Sequence, residues 1–242
     1  MEALEKLKIS DVVASNIKSA HVFKKYGLDF CCGGGISIEK ACAKNNIDLE
    51  ELLQDLRNMD EKPAASQNYN NWELDFLIAH IENTHHVYVR EALGMIDEYA
   101  AKVARVHGDG HPPVIKIYEL FQLLSEELTS HMQKEEVILF PYINLLVQAQ
   151  KTKTISEPSK FGNIQNPINM MEHEHENAGN ILKEIAVLSN NYTPPEWACN
   201  TFKALYAKLE EFEQDLHLHI HLENNILFPK AILLEAGKTE LI

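Results

Sequence analysis

Apolar residues recur at three- and four-residue spacing over four long segments, roughly 72–105, 114–148, 167–189 and 196–235. That spacing lays them along one face of an α-helix, so it predicts four helices long enough to form a bundle. HGDGHPP (107–113), the Pro- and Gly-bearing stretch 151–167, and NNYTPP (190–195) read as the turns between them. Residues 1–60 carry shorter periodic runs with their own punctuation. Ser10 and Ser19 are expected as N-caps, Gly27 as a helix stop, and Asp48 with Glu51 as a capping box. The stretch DEKPAASQNYNN, from Asp60 to Asn71, is polar and aperiodic and holds Pro63. The expected organisation is therefore a small helical module over 1–60, a linker over 61–71 and a larger bundle over 72–242. No segment alternates as a strand would, so the fold class is all-α.

Composition narrows the partners. A chain that is 45% hydrophobic with few glycines belongs among globular proteins. Its 36 acidic against 22 basic residues give a formal charge of −14, which repels a nucleic-acid backbone or an anionic membrane surface. MEALEKLKIS lacks the apolar core of a signal peptide, and no apolar run is long enough to span a bilayer. A cytoplasmic location is expected. Cys31, Cys32, Cys42 and Cys199 are too few and too unevenly placed for a disulfide framework and read as reduced thiols.

The candidate chemistry lies in a repeat. HMQKEEVILFP begins at His131 and HIHLENNILFP at His219, so H-x-x-x-E-x-x-I-L-F-P occurs twice, late in the second and fourth predicted helices. Positions i and i+4 share a helix face, so His131 with Glu135, and His219 with Glu223, can each reach one interior point. Imidazole plus carboxylate from facing helices suits iron, manganese or zinc, and a carboxylate can bridge two metals. Buried His and Glu at matched depth are costly unless paired or metal-bound. The preceding helices offer further imidazoles: His85 or His86 in one, His173 or His175 in the other. Spacing leaves the choice within each pair open, although His173 and His175, about 200° apart, cannot serve one metal.

Other features have plainer readings. Cys31-Cys32 precedes three glycines and a helix expected to be capped near Ser37. A thiolate would be favoured there, the glycines would allow close approach by a partner, and redox or metal-transfer chemistry is the functional expectation. Cys42 and Cys199 read as small core residues. His217 and His221 share the face opposite His219 and are expected in solvent, His80 is divided between core and surface, and His21, His107 and His111 are expected to have no role. Ile138, Leu139 and Phe140, like Ile226, Leu227 and Phe228, would close the bundle beyond the metal layer, with Pro141 and Pro229 kinking or ending each helix.

YGLDFCCGGG, THHVYVREAL, EELTSHMQKEEVILFP, MEHEHENAG and HLENNILFP together resemble the Repair of Iron Centres di-iron proteins over nearly the whole chain. The resemblance implies a hemerythrin-like four-helix bundle behind the N-terminal module. It implies a ligand set of His86, His131, Glu135, His175, His219 and Glu223 around two non-haem iron ions bridged by the two glutamates. Oxygen-carrying hemerythrins use one more histidine, so coordination positions would be left open for small diatomic ligands such as nitric oxide and oxygen. The implied function is repair of iron-sulfur proteins damaged by nitrosative or oxidative stress, through iron supply with Cys31 and Cys32 assisting. That is not conventional enzyme catalysis; the alternative is a nitric oxide reductase or gas-binding sensor at the same centre. A homodimer is also implied.

Overall fold

The computed structural model describes residues 3–59, 69–154 and 160–237, and it is all-α. The chain divides into two compact units: Ile78–His217, and Met1–Leu77 together with Leu218–Ile242.

The unit Ile78–His217 is the bundle. Its helices are α6 (Val87–His107), α7 (Pro113–Lys134), α9 (Gln165–Leu188) and most of α10 (Asn200–Leu222), with α8 (Phe140–Thr152) extending α7. α7 packs against both α6 and α9. The buried positions keep the spacing read from the sequence: Leu93, Ile96, Ala100 and Val103 on α6, and Ile117, Phe121, Leu124 and Leu128 on α7. From α10, the Phe212 ring meets the rings of Tyr88 and Phe121.

Three of the predicted helices are continuous but not uniformly α-helical. A π-helical turn, Ile81–His86, joins α5 (Leu74–His80) to α6; a second, Glu135–Leu139, joins α7 to α8; a third, Glu223–Leu227, joins α10 to α11 (Phe228–Glu235). Such turns insert one residue into the α-helical ladder and commonly sit at functional sites. They also correct two expectations. Pro141 and Pro229 do not end their helices, because each falls in the first turn of the segment after a π turn, where a missing N–H is tolerated. Ile138 does not close the bundle and is 49% exposed. In an α-helix it would lie within about 60° of Glu135, but at roughly 80° per residue the wider turn swings it to about 120° away. Leu139 and Phe140 do stay buried.

The other unit contains the N-terminal module: a 3-10 turn at Leu4–Lys6, α1 (Ile9–Ser15), α2 (Ser19–Lys25), α3 (Ile38–Asn45) and α4 (Leu49–Asn58). Ile9, Val13, Phe23, Ile38, Leu52 and Leu53 form its core. Asp48 caps α4 by accepting from the Glu51 N–H at 3.1 Å, and Gly27 stops α2 with φ +67°. Ser10 and Ser19 do not cap. They lie inside α1 and α2, behind Lys8 and Lys18, and Ser37 precedes α3 without a side-chain cap bond. The first amides of α1 are satisfied by a distant loop instead: Ile9 N–H donates to Ile36 O at 3.1 Å and Ser10 N–H to Gly34 O at 2.9 Å. Gly34 is required in that loop, since a Cβ on it would stand 2.3 Å from the Phe30 carbonyl oxygen. The turn Glu223–Leu227 packs on α1 within this unit.

Of the linker expected over 61–71, residues 61–68 lie outside the described residues, and Tyr69–Asn71 form a 3-10 turn. Among the described residues no helix is long and apolar enough to cross a membrane.

Candidate metal centre

Glu135 opens the second π turn, one helical turn after His131 on α7. Its Oε2 lies 3.4 Å from His131 Nε2 and 3.4 Å from His86 Nε2. His175 of α9 brings its Nε2 to 2.9 Å from His131 Nε2. Glu223 opens the third π turn in the same way, with Oε1 3.1 Å from His219 Nε2. All six side chains are buried. Within the unit Ile78–His217, His86, His131, Glu135 and His175 thus bring their metal-ligating atoms together, and in the other unit His219 and Glu223 repeat the pairing of His131 with Glu135.

Within each ambiguous pair the second histidine joins the cluster. His85 is also buried, but its Nδ1 meets Asp215 Oδ1 at 3.0 Å; His173 is exposed.

Two of the imidazoles are aimed by carboxylates that sequence reasoning missed. His86 Nδ1 is held by Glu136 Oε1 at 2.7 Å, and His131 Nδ1 by Glu174 Oε2 at 2.9 Å. Such bonds fix the ring and leave Nε2 as the metal-facing nitrogen. Burial alone would raise the pKa of Glu136, but hydrogen bonds from Arg90 and His86 outweigh it and hold the carboxyl below its usual range. The His131 hydrogen bond, reinforced by Lys134 against the opposing effect of burial, lowers Glu174 to about 2. The signal was present in the sequence: Glu136 follows Glu135, and Glu174 lies between His173 and His175, so each neighbours a candidate ligand. Phe140 stacks on His86 with ring centroids 5.8 Å apart, which keeps water from that flank.

The donor set suits a cation. Glu135 is 0% exposed, yet among the described residues neither of its carboxylate oxygens accepts a hydrogen bond, a costly arrangement unless a positive charge compensates it. Four imidazoles with two carboxylates match first-row metals such as iron rather than the all-oxygen sets of calcium or magnesium.

The remaining histidines and cysteines depart from expectation in three places. His221 is buried rather than solvated: its ring meets that of Phe30 edge-on at 5.9 Å, its Nδ1 meets Asn225 Nδ2 at 3.1 Å, and burial pushes its pKa down to about 4. Cys199 is exposed rather than in the core, with Sγ 3.3 Å from His107 Nε2. Cys31 is not poised as a thiolate. No helix begins at it, and hydrogen bonding with Cys32, then burial, then Asp29 raise its pKa well above that of an ordinary thiol. Cys32 is exposed and Cys42 buried.

Residues 77–231 match the family model described as Hemerythrin HHE cation binding domain, and residues 5–60 match one described as Domain of Unknown function (DUF542). The chain is 38% identical to the iron-sulfur cluster repair protein YtfE of Musicola paradisiaca over 219 residues, 90% of this chain and 93% of that protein. It is 36% identical to the protein of that name from Edwardsiella ictaluri over 224 residues, 93% of this chain and 96% of the relative. A Yersinia pseudotuberculosis protein of the same name is 39% identical over 215 residues, 89% and 91% of the two chains. With its buried His/Glu cluster, these motifs and that coverage, the chain belongs to the Repair of Iron Centres family, whose bundle is a hemerythrin HHE cation-binding domain.

Proposed function

We propose that residues 72–242 hold two non-haem iron ions, with Glu135 and Glu223 shared between them, and that the protein repairs damaged iron-sulfur clusters by supplying iron. In this reading His86 and His219 serve one ion, and His131 and His175 the other. The observation that carries it is the convergence of His86, His131 and His175 around the buried Glu135, with the buried His219–Glu223 pair repeating the arrangement, the imidazole and carboxylate pattern of a carboxylate-bridged pair of ions. Four imidazoles and two carboxylates for two ions would leave coordination positions open, where the ligands of a receiving site could bind. Iron held there supplies the metal that a damaged cluster has lost. The protein's own part is to aim the imidazoles through Glu136 and Glu174 and to shield His86 with Phe140. The relatives' names, iron-sulfur cluster repair protein, point to the same role. Its clients are then iron-sulfur proteins damaged by nitrosative or oxidative stress.

The test is to mix iron-loaded protein with a hydratase whose cluster has been damaged, and to follow hydratase activity together with the iron on each protein. Activity is expected to return as iron leaves the repair protein, from a starting content near two ions per chain. Iron that stays bound while the hydratase remains inactive would reject donation.

A further inference from the structure

The two copies of the repeat differ immediately after their glutamates: Glu136-Val137 in the first, Asn224-Asn225 in the second. Glu136 orients His86. The asparagines reach elsewhere, to the loop that carries the vicinal cysteines, and they do so within one compact unit. Asn225 Nδ2 donates to the Cys31 carbonyl at 3.0 Å and lies 3.5 Å from the Phe30 carbonyl and 3.1 Å from His221 Nδ1. Asn224 Nδ2 lies 3.9 Å from Cys32 Sγ. The loop itself is tightly held: Asp29 Oδ1 accepts from the N–H of Cys31 at 3.1 Å, the N–H of Cys32 at 3.0 Å and the Cys31 thiol at 3.2 Å. Gly34 fixes its far end against Phe30. A rigid loop fastened by a short amide side chain cannot shift without pulling on that residue's backbone, and Asn225 is only two residues from Glu223 in the same π turn.

We propose that Asn225 is a positioning residue that locks the Cys31–Cys32 loop to the turn bearing Glu223, so that events at the exposed Cys32 thiol and metal occupancy at Glu223 are coupled. Resting on the iron-supply reading, this makes the thiol pair a control on release: a soft metal ion or an electrophile engaging Cys32 displaces the loop, and the displacement reaches the carboxylate through Asn225. Val137, the counterpart in the first copy, has no amide, so the coupling belongs to the second copy alone. Coupling between two sites is reciprocal, which supplies a test independent of repair activity.

In the full chain, the rate of Cys32 carbamidomethylation by iodoacetamide is measured by mass spectrometry with and without bound ferrous iron, in the native protein and in Asn225→Asp. That variant keeps the side chain's shape but loses the N–H donor. Iron is expected to change the native Cys32 rate by about fivefold, the low end of ordinary site-to-site coupling. In Asn225→Asp the iron content should stay native while the difference disappears. A second measurement needs no variant: native protein alkylated at Cys32 should release iron to a ferrous chelator at a rate about fivefold different from unmodified protein. An equal effect of iron on Cys32 in both proteins would overturn the role of Asn225, and no effect in the native protein would overturn the coupling itself. A protein that shows the coupling but leaves a damaged hydratase inactive would overturn the repair reading and leave this inference standing.

Discussion

The two copies of H-x-x-x-E-x-x-I-L-F-P are a controlled comparison made by the chain itself. Both place a glutamate at the head of a π turn, one helical turn after a histidine, and both bury that pair completely. Past the glutamate they diverge. Ile138 is 49% exposed, whereas its counterpart Ile226 is 1% exposed, in a turn that packs on α1. The shared motif thus produces the same π turn and the same His–Glu pairing but different burial. The residues that differ, Glu136 with Val137 against Asn224 with Asn225, record what each turn has beside it: an imidazole to aim in one case, the cysteine loop to hold in the other.

The largest effect expected is from removing either glutamate. Glu135→Ala and Glu223→Ala should each lower bound iron from near two ions per chain to one or fewer, measured by metal analysis. A variant that keeps both ions would show that its glutamate is not shared, and the symmetry of the comparison would be lost.

Next comes packing. Ile226→Ala should destabilise the protein by about 2–4 kcal/mol. Ile138→Ala, the same substitution in the other copy, should change stability by about 0.5 kcal/mol or less. Denaturation midpoints read both, and equal losses would contradict the difference in burial.

The orienting carboxylates should matter less than the ligands. Glu136→Gln and Glu174→Gln should each weaken metal affinity by about 10–100-fold without unfolding the bundle, as is usual for partners of metal-bound imidazoles. Competition with a metal chelator measures this, and unchanged affinity in both variants would mean that packing alone aims His86 and His131.

The smallest effect concerns the module's surface. Asp55 on α4 pairs with Lys25 at 2.6 Å and accepts from the Tyr26 hydroxyl at 2.9 Å, and the lysine bond holds its pKa below the ordinary 3.8. A carboxyl depressed in the folded state adds stability above its unfolded pKa and loses it as pH falls through the folded value. Asp55→Asn should therefore shift the denaturation midpoint slightly at pH 7 and progressively less as the pH falls below the ordinary carboxyl range. A large shift at pH 7 would show that this exposed pair counts for more than surface pairs usually do.

Much of this was legible beforehand, for reasons that particular residues make clear. The four long helices followed from apolar spacing, and the capping of α4 by Asp48 and the stop at Gly27 followed from residue chemistry, because each depends on neighbours within a turn or two. The π turns left no mark in the periodicity, and their consequence, Ile138 turned outward, was missed with them. Ser10 looked like a cap, but the amides it would have served are taken by the carbonyls of Ile36 and Gly34. His221 is expected in solvent because it lies on the helix face opposite His219; the Phe30 ring and Asn225 enclose it instead.

By itself the sequence determined the helical class, the positions of the long helices, and the pairing of a histidine with a glutamate one turn apart in each repeat. Periodicity and i,i+4 geometry are properties of a single helix and need no partner. Only the tertiary structure decided that His86 rather than His85 joins the cluster, that Glu136 and Glu174 hold the imidazole rings, and that Ile226 is covered while Ile138 is not. Burial and hydrogen-bond partnership are set by what a distant segment brings to a helix face, which no spacing along the chain encodes.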